Sequence, residues 1–341
     1  MERKARNVAL LAGGIAAGLA ARVAYRRATA ADLRGQVVMI TGGTRGLGLA
    51  LARDLAALGC RLVICARNER DLEDARRELS ARGAEVLAIR CDVGDHDQVR
   101  DLVAQAMNNF GRIDILINNA GIISVGPLQT QDLEEFRRAM DVMFWGAVHP
   151  TLAVLPQMIE RGSGRIANIT SIGGKVAVPH LWAYGCAKFA AVGFSEGLRA
   201  EARRHGIKVT TVVPGLMRTG SYQNAFFKGK HKDEYTWFAL SGNSPLSSVS
   251  AEHAARTIVD AVRHGDAEVI ISPQAKALAL FHGIFPGLTT EILALVNRFV
   301  LPEHGGVGSE RRKGKQSETA LTRSFLTRLG QQAAREYRQT G

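Results

Sequence analysis

Short apolar runs alternate with longer stretches of helical periodicity along most of the chain. The apolar runs lie at 36–40, 62–65, 86–89, 113–117, 166–169, 207–213 and 268–271. The helical stretches lie near 69–82, 95–109, 131–160, 180–205 and 251–264. Continuous apolar runs of this length are typical of strands that are buried on both faces of a parallel sheet. The alternation therefore predicts an α/β protein with one doubly wound parallel sheet and helices on both faces.

Composition supports one globular unit with extensions at both ends. Of 341 residues, 46% are hydrophobic and 22% are charged, which is close to the average for globular domains. The sequence has no internal repeat and no second glycine-rich fingerprint. We predict a single α/β domain over 31–275, with an apolar and basic segment at 1–30 and a C-terminal extension and polar tail at 276–341.

A glycine-rich turn follows the first predicted strand. It reads Thr41-Gly42-Gly43-Thr44-Arg45-Gly46-Leu47-Gly48 and leads into a helical stretch at 49–58. Glycines let the backbone turn sharply and approach a pyrophosphate, and the next helix offers free N–H groups and a positive dipole end. A glycine-rich loop alone is weak evidence, but the order of strand, loop and helix is the context that this motif requires. The segment therefore predicts a dinucleotide site.

Tyr184 and Lys188 lie four residues apart, which places them on one face of a predicted helix. An ammonium held near a phenol favours the phenolate and lowers the pKa of the hydroxyl from about 10. The phenol then becomes a usable proton donor or acceptor near neutral pH. A hydroxyl from Ser171 could hold a substrate oxygen beside it. Two unrelated surface residues are the alternative explanation of the Tyr184 and Lys188 pair.

Taken together, these motifs resemble those of the short-chain dehydrogenases/reductases in their compact single-domain form, over roughly residues 33–272. The matching segments are 41–48, Asn118-Asn119-Ala120-Gly121, Ser171 with Tyr184 thirteen residues later, and Pro214-Gly215 with Thr219. The resemblance implies a Rossmann fold and an oxidoreductase that acts on a carbonyl or an alcohol. It implies that Tyr184 transfers the proton and that Ser171 stabilises the carbonyl oxygen. Lys188 would lower the pKa of Tyr184 and bind the nicotinamide ribose.

The same resemblance implies a set of cofactor contacts. They are Gly42, Thr44, Arg45, Gly46, Leu47, Gly48, Arg67, Asp92, Val93, Asn119, Ala120, Gly121, Tyr184, Lys188, Pro214, Gly215 and Thr219. An enzyme that prefers NAD usually carries an acid at the end of the second strand, where this chain has Ala66. Arg67 follows directly, and Arg45 lies inside the glycine turn. Because two guanidinium groups suit a 2′-phosphate, we predict NADP(H) as the cofactor.

The cysteines give no indication of a metal site. The four residues, Cys60, Cys65, Cys91 and Cys186, form no Cys-x-x-Cys pair and belong to no His/Cys cluster. Three of them fall in or beside predicted strands, which is typical of reduced thiols in a protein core. We therefore predict no bound metal.

One departure from the family pattern bears on activity. The family has Asn in the helix before the catalytic Ser, where this chain has Met143 in the segment 141–146. In the family, that Asn helps to hold a water that links the active-site Lys to solvent, whereas a thioether is a weak acceptor and donates nothing. Two alternatives to an active enzyme stay open: a non-catalytic NADP-binding protein and a membrane-associated scaffold with the same fold. The complete set of Ser171, Tyr184 and Lys188 favours the enzyme.

An aromatic insertion bears on the substrate. Residues 216–247 are predicted to cover the site as a lid, and they carry Tyr222, Phe226, Phe227, Tyr235, Trp237 and Phe238. In a chain that is only 6% aromatic, this density favours a bulky apolar carbonyl or alcohol as the substrate. The alternative is that these rings only pack the lid itself.

The net charge of +12 is concentrated partly at the two ends of the chain. No nucleic-acid recognition motif accompanies it, so we predict no nucleic-acid partner. The basic clusters, at 3–27 and 311–315, both adjoin apolar segments. This arrangement favours an anionic membrane surface as the partner. Near the N-terminus, bulky residues at spacings of three or four share one helical face: Val8, Leu11, Ile15, Leu19 and Val23.

These features lead us to predict a cytoplasmic enzyme that is tethered by its N-terminal segment to the cytoplasmic face of a membrane. A helix packed on the enzyme or on a second subunit is the main alternative. A cleaved signal peptide fits less well, because a reductase needs the cytosolic supply of reduced cofactor.

The C-terminal extension has three parts. Residues 277–286 and 291–301 are apolar and are expected to cover the substrate mouth, to lie in a membrane interface or to complete the core as a helical pair. Residues 302–319 are polar and glycine-rich, which predicts a flexible linker, and 320–338 a final surface helix. By resemblance, the helices near 131–160 and 180–205 imply a homodimer or homotetramer.

Overall fold

The computed structural model describes residues 30–340. The prediction of a membrane anchor at the N-terminus lies outside the described residues. The strands are β1 (Val37–Thr41), β2 (Arg61–Ala66), β3 (Val86–Arg90), β4 (Ile115–Asn118), β5 (Ser124–Val125), β6 (Gly164–Ile169), β7 (Ile207–Val213), β8 (Leu216–Arg218), β9 (Phe226–Phe227), β10 (Ser248–Ser250), β11 (Glu268–Ile270) and β12 (Arg312–Lys313).

Seven of these strands form one parallel sheet in the order β11-β7-β6-β4-β1-β2-β3. The order reverses between β1 and β4, since later strands add on the other side of β1. In sheets of this type, ligands bind in the crevice at the carboxyl ends of the strands beside such a reversal. The predicted doubly wound parallel sheet is confirmed, and each of the apolar runs forms one of its strands.

The helices flank this sheet. They are α1 (Gly46–Ala57), α2 (Glu69–Ala81), α3 (His96–Phe110), α4 (Leu133–Met140), α5 (Gly146–Arg161), α6 (Trp182–Ala202), α7 (His231–Asn243), α8 (Ala251–His264), α9 (Pro273–Ile284), α10 (Pro286–Phe299) and α11 (Arg328–Glu336). The stretch predicted as one helix over 131–160 is two helices joined by a π-helical turn at Asp141–Trp145. Turns of this kind are frequent at functional sites.

Successive residues of β1 belong to cores on opposite faces of the sheet. Val38 and Ile40 pack in the core that includes residues of α1, α2 and α8. Val37 and Met39 pack in the core that includes residues of α3 and α5. All four are fully buried, which explains why the strand has no polar alternation.

The end of the chain differs from our prediction. Residues 302–319 are not a flexible linker in this structure, because β12 pairs with β9 and Gly314 and Ser317 are buried. Residues 320–338 are not one surface helix: three-residue 3₁₀ turns precede α11, and Ala333 and Ala334 are buried. Glycines permit this packing, since Gly306 adopts φ +65° and a Cβ there would lie 2.4 Å from the Gly229 carbonyl oxygen.

Helices α9 and α10 form a hairpin in which α10 packs mainly on α9. Its exposed apolar residues are Leu280, Ile284, Phe285, Leu288, Ile292, Leu295 and Phe299. Elsewhere in residues 30–340, the stretch Leu133–Arg161 has the length and mean hydropathy, 1.3, of a membrane-spanning helix. Half of the residues in its most apolar part are buried inside the protein, as in a core helix.

Candidate active site

The carboxyl end of β6 leads to Ser171, which begins a 3₁₀ turn over Ile172–Gly174. Ser171 Oγ accepts a hydrogen bond from the Gly173 N–H at 3.0 Å, and the Ser171 side chain is also hydrogen-bonded to the Tyr184 hydroxyl. A Cβ on Gly173 would lie 3.1 Å from Tyr184 Cε1. Glycine therefore lets the turn pack directly on the phenol ring, and the two hydroxyls meet although one follows a strand and the other lies on α6.

Lys188 lies one turn further along α6 and is buried, with 5% of its surface exposed. Its Nζ donates to the Ile169 carbonyl oxygen at 2.8 Å and lies 5.9 Å from the centroid of the Tyr184 ring. Burial lowers the pKa of Lys188 to about 8, because loss of water disfavours the charged form. The ammonium still carries its proton for most of the time at neutral pH.

The pKa of Tyr184 is raised, whereas the sequence led us to expect a lowered value. Burial is the main cause, and the hydrogen bond with Ser171 offsets it only in part. The Lys188 ammonium is hydrogen-bonded to the backbone and does not reverse the effect of burial. The phenol therefore keeps its proton near neutral pH, which is the form that can donate to a carbonyl oxygen.

The glycine turn has the backbone geometry that our prediction requires. Gly42 and Gly46 adopt φ +65° and +56°, conformations that other residues rarely take. A Cβ on Gly48 would lie 2.1 Å from the Gly42 carbonyl oxygen, so α1 begins in close contact with the strand. Thr44 and Leu47 are buried in the same turn.

The segment after β4 holds the turn in place. Thr41 Oγ1 accepts hydrogen bonds from the N–H groups of Asn119 and Ala120 at 2.9 and 3.1 Å. The Asn119 amide donates to the carbonyl oxygens of Thr41 and Gly42 at 3.0 and 3.1 Å. The two motifs, 41–48 and 118–121, therefore form one rigid unit at the point where the strand order reverses.

Three predicted cofactor contacts, Arg67, Asp92 and Val93, follow the ends of β2 and β3, whereas Arg45 lies in the glycine turn after β1. Arg45 and Arg67 are exposed, and the Arg67 guanidinium lies 3.7 Å from the Asp92 carboxylate. Exposed pairs of this kind contribute about 0–1 kcal/mol, so Arg67 can exchange its partner at little cost. Val93 is buried, and its carbonyl oxygen lies 3.2 Å from His149 Nδ1.

The loop after β7 lies beside the 3₁₀ turn that follows Ser171. The Ile172 N–H donates to the Pro214 carbonyl oxygen at 2.8 Å. A Cβ on Gly215 would lie 2.6 Å from Ser272 Oγ, the N-cap of α9. Thr219, further along the loop, is buried, and its Oγ1 accepts from the N–H two residues later. The three predicted residues of this loop thus lie near Ser171 and the glycine turn.

A C-terminal contact with the glycine turn was missed by the sequence analysis. The Gly46 N–H donates to the Tyr337 carbonyl oxygen at 2.9 Å. A Cβ on Gly46 would lie 2.5 Å from Gln339 Nε2 and 4.0 Å from Thr219 Cβ. The Gln339 amide therefore lies between the turn and the loop after β7. No sequence motif marks this contact, because it joins residues almost 300 positions apart.

A buried polar chain beneath the site was missed as well. The Asn118 amide donates to Asn168 Oδ1 at 2.8 Å, and the Asn168 amide donates to Ser195 Oγ at 3.0 Å. Thr211 Oγ1 donates to the same Ser195 oxygen at 2.7 Å. The chain connects β4, β6, β7 and α6, and so it fixes the helix that carries Tyr184 against the sheet.

Met143, at the position of the family's Asn, lies in the π-helical turn and is buried. It packs with Ala183 and Ala187 in a cluster that Tyr184 also contacts. Its Sδ would lie 3.9 Å from a Cβ on Gly121. An apolar side chain therefore takes the place of a hydrogen-bonding group beside α6.

The aromatic residues of the lid divide into two groups. Tyr222, Phe227 and Tyr235 are buried in one cluster, which supports the alternative that these rings pack the lid. Trp237 and Phe238 are half-buried and pack against the same cluster, as does Tyr184. Phe226 is half-buried beneath the Arg311 guanidinium. Fewer aromatic residues of the lid are therefore available to contact a substrate beside Tyr184 than the sequence predicted.

A buried hydrogen-bonded group joins the lid to the loop before α6. His180 Nδ1 lies 2.8 Å from Glu234 Oε1, and the Trp237 indole N–H donates to Glu234 Oε2 at 2.7 Å. Glu234 is fully buried, and His180 has φ +63°. A non-glycine residue in this conformation is held there by its surroundings. The lid helix α7 thus positions the segment that leads into Tyr184.

Comparisons with known proteins agree with this geometry. The family described as short chain dehydrogenase matches residues 36–228. Dehydrogenase/reductase SDR family member 7B of Mus musculus is 34% identical over 278 residues, covering 80% of this chain and 84% of that protein. Actinorhodin polyketide ketoreductase, solved with NADPH, is 29% identical with a TM-score of 0.64, covering 71% and 97% of the two chains.

A second solved structure shows the fold alone. It is a short-chain dehydrogenase/reductase from Burkholderia phymatum in complex with NAD, 23% identical with a TM-score of 0.66, covering 76% of this chain and 96% of that chain. The family match covers more than half of the present chain. The protein therefore belongs to the short-chain dehydrogenases/reductases, a family of Rossmann-fold oxidoreductases, and the resemblance noted in the sequence is confirmed.

Proposed function

We propose that the protein is an NADPH-dependent oxidoreductase that reduces a ketone or an aldehyde, or oxidises the corresponding alcohol. The observation that carries this proposal is the convergence of Ser171, Tyr184 and Lys188 at the carboxyl edge of the sheet, beside the glycine turn. Two hydrogen-bonded hydroxyls and a buried ammonium form a proton-donating site. The family membership of the chain supports the same class of reaction.

Each residue has a separate role in the proposed reaction. Tyr184 donates its proton to the carbonyl oxygen, and its raised pKa keeps the donor form available. Ser171 donates a hydrogen bond to the same oxygen and stabilises the charge that develops there. Lys188 stabilises the tyrosinate that remains after transfer and returns a proton to it. The reduced nicotinamide, when bound, supplies the hydride.

The glycine turn fits a dinucleotide. Gly46 lacks a Cβ where the backbone must approach a pyrophosphate, and α1 begins there with no side-chain cap on its first N–H groups. Arg45 and Arg67 support NADP(H) over NAD(H), because two exposed guanidinium groups suit a 2′-phosphate and position 66 carries Ala in place of an acid. Thr219 and the segment after β4 lie next to the glycine turn, where the resemblance implies further cofactor contacts.

The lid supports an apolar substrate. Trp237 and Phe238 are partly exposed beside the cluster that includes Tyr184, and apolar walls favour apolar ligands. The similarity to a polyketide ketoreductase points to bulky carbonyl compounds in the same direction. We therefore propose a lipid-like or polycyclic ketone, or its alcohol, as the substrate class.

A non-catalytic dinucleotide-binding protein is the second candidate, and Met143 is the observation that favours it. An assay of NADPH absorbance across a panel of aliphatic, aromatic and polycyclic ketones separates the two. The proposal expects turnover with at least one apolar ketone and tighter binding of NADPH than of NADH. Tight NADPH binding with no turnover on any member of the panel would favour the second candidate.

We propose further that the α9–α10 hairpin lies in a lipid surface on the cytoplasmic side of a membrane. Its tip, Phe285 to Leu288, is apolar and exposed, whereas Lys276 and Arg298 lie at its base. If the tip enters the acyl chains, the basic groups at the base of the hairpin would lie among anionic headgroups. The N-terminal segment is proposed as a second tether.

Flotation with vesicles of phosphatidylcholine and phosphatidylserine tests the two tethers. The double variant Phe285→Ser/Leu288→Ser and a chain that lacks residues 1–28 should each float less than the full chain. Phe325→Ser is the matched control, because Phe325 is exposed elsewhere. Equal flotation of the hairpin variant and the control would contradict membrane binding by the hairpin. A full chain that stays soluble in low salt would contradict both proposed tethers.

A homodimer or homotetramer is also proposed. Helices α5 and α6 and the turn before α5 expose large apolar residues on the surface that pairs subunits in the family: Trp145, Leu152, Ile159, Trp182 and Phe189. Light scattering after size exclusion should give a multiple of 36.8 kDa for the wild type. Leu152→Lys with Phe189→Lys should give monomers, whereas a wild-type monomer at micromolar concentration would contradict the proposal.

A further inference from the structure

The last described residues of the chain lie on the glycine turn. We call residues 328–340, which comprise α11 and the end of the described chain, the C-terminal strap. Its Tyr337 carbonyl oxygen accepts the Gly46 N–H at 2.9 Å, and its Gln339 amide occupies the space beside the Gly46 Cα. Gln339 is buried, with 5% of its surface exposed. This contact is therefore closely packed.

Side-chain contacts hold the C-terminal strap on both sides of the turn. The Asn224 amide donates to Gln339 Oε1 at 2.6 Å and to the Gln339 carbonyl oxygen at 2.8 Å. A Cβ on Gly220 would lie 2.4 Å from Ala334 Cα, so α11 packs directly on the loop after β7. The Tyr337 hydroxyl donates to the Glu252 carboxylate at the N-terminus of α8.

An ionic contact fixes the strap to α2. The Arg338 guanidinium lies 2.9 Å from Glu78 and 3.6 Å from Asp74. Arg338 has φ +54°, one of two non-glycine residues with positive φ among those described. The strap is therefore held in part by exchangeable charges and by a backbone conformation that costs energy.

The position taken by Gln339 is the one that a dinucleotide needs. In Rossmann-type turns, the second glycine lacks a side chain so that the backbone can approach the pyrophosphate. Gly46 is that glycine, and the face on which it lacks a Cβ is the face that contacts Gln339. The Gly46 N–H at the start of α1, which is suited to an anion, is already bonded to Tyr337.

We propose that the C-terminal strap is an autoinhibitory element that occupies the pyrophosphate position and must be displaced before a dinucleotide binds. This inference rests on the proposed function, because it takes the glycine turn as the cofactor site. The strap and the dinucleotide compete for the same N–H group and the same space. The apparent dissociation constant of the cofactor is then the intrinsic value divided by the fraction of molecules with a displaced strap.

The competition has a specific signature. A strap that closes over the turn raises the dissociation constant for the dinucleotide and leaves the turnover of bound substrate unchanged. A free peptide of residues 328–341 should bind the strapless protein and compete with NADPH. Rising salt should weaken the Arg338 contacts and so favour displacement, which opposes the usual weakening of phosphate binding by salt.

Titration of NADPH fluorescence tests the proposal on the full chain. Gln339→Gly removes the side chain from the pyrophosphate position, and Arg338→Glu repels the strap from Glu78. Arg335→Glu is the matched control, since it makes the same change of charge at an exposed position of α11. We expect both strap variants to bind NADPH at least about fivefold more tightly than the wild type and the control.

A truncated chain, used after circular dichroism shows that it is folded, tests the removal of the whole strap. The chain that ends at residue 327 should bind NADPH more tightly, and the free peptide should restore the wild-type dissociation constant. Equal or weaker binding in the truncated chain and in Gln339→Gly would overturn the proposal, because the strap would then complete the cofactor site. If neither the full nor the truncated chain bound any nicotinamide dinucleotide, the proposed function itself would fail.

Discussion

The glycine turn and the C-terminal strap touch each other, yet their structures have different origins. The turn is shaped within eight residues by glycines at positive φ and by the strand before it. The strap takes its position from Asn224, Glu252 and Glu78, which lie far from it in the chain. A motif identifies the first region and carries no information on the second. The comparison teaches that a predicted cofactor site can be recognised from sequence, whereas the segment proposed to control access to it cannot.

The largest expected effect concerns Tyr184, the proposed proton donor that would act on a substrate once the cofactor is bound at the glycine turn. Tyr184→Phe removes the proton donor and should lower kcat by about 10²–10⁴-fold, the usual contribution of general acid catalysis. Binding of NADPH should change little, because the ring remains. Tyr235→Phe, in the lid, is the matched control and should keep near wild-type kcat. Retention of kcat by Tyr184→Phe on an authentic substrate would refute the catalytic assignment.

The next effect concerns how the C-terminal extension is attached. Glu135 is buried and lies 2.7 Å from the Lys228 ammonium and 2.5 Å from the Arg311 guanidinium. Glu135→Ala leaves Lys228 and Arg311 without their buried carboxylate partner and should lower the free energy of unfolding by about 3–5 kcal/mol. Urea denaturation measures this change. Glu134→Ala, which removes an exposed pair with Arg138, is the control and should cost less than about 1 kcal/mol.

If Glu135→Ala were as stable as the control, residues 302–319 would be more loosely attached than the structure indicates. A flexible linker, as the sequence predicts, would then be the better description. The two substituted residues are neighbours in the chain, but Glu135 is almost fully buried whereas Glu134 is exposed. The difference between their free energies of unfolding therefore reports the contribution of the buried ion pairs.

A smaller effect concerns the predicted ribose end of the cofactor site. Arg45→Ala with Arg67→Ala should remove most of the preference for NADPH over NADH, since a charge-assisted hydrogen bond contributes about 1.5–3 kcal/mol. Arg90→Ala is the matched control, because Arg90 also ends a strand and pairs with exposed Glu69. Dissociation constants for both cofactors decide the matter. Equal wild-type affinities for NADPH and NADH would refute the assignment.

The smallest effect is a pH dependence that follows from Lys188. Its pKa is lowered to about 8 by burial, and reduction requires the protonated form. The kcat/KM for reduction should be constant below that pH and fall about tenfold for each unit above it, because this profile reports the free enzyme. Lys188→Met should be slower and lack this inflection. An unchanged profile in the variant would show that another group controls the rate.

Sequence reasoning succeeded where local patterns determine structure. The strands appear as apolar runs because both faces of the sheet are covered, and the order of motifs identified the family. Sequence reasoning failed where burial and long-range packing determine the structure and the pKa values. The direction of the Tyr184 pKa depends on desolvation, which no spacing reveals. The burial of Tyr222, Phe227 and Tyr235 shows which rings pack the lid itself, and the Gln339 contact joins residues almost 300 positions apart.

Transfer of deuterium tests the central claim most directly. The protein is incubated with NADPH that carries deuterium at C4 of the nicotinamide and with an apolar polycyclic ketone, and the extracted alcohol is analysed by mass spectrometry. Because the label accumulates, the experiment also detects slow turnover, which is expected if Met143 interrupts the proton supply to Lys188. We predict an alcohol with one deuterium on the carbinol carbon, and far less of it with Tyr184→Phe. Absence of labelled alcohol for every ketone, in a protein that binds NADPH, would contradict the proposed reduction.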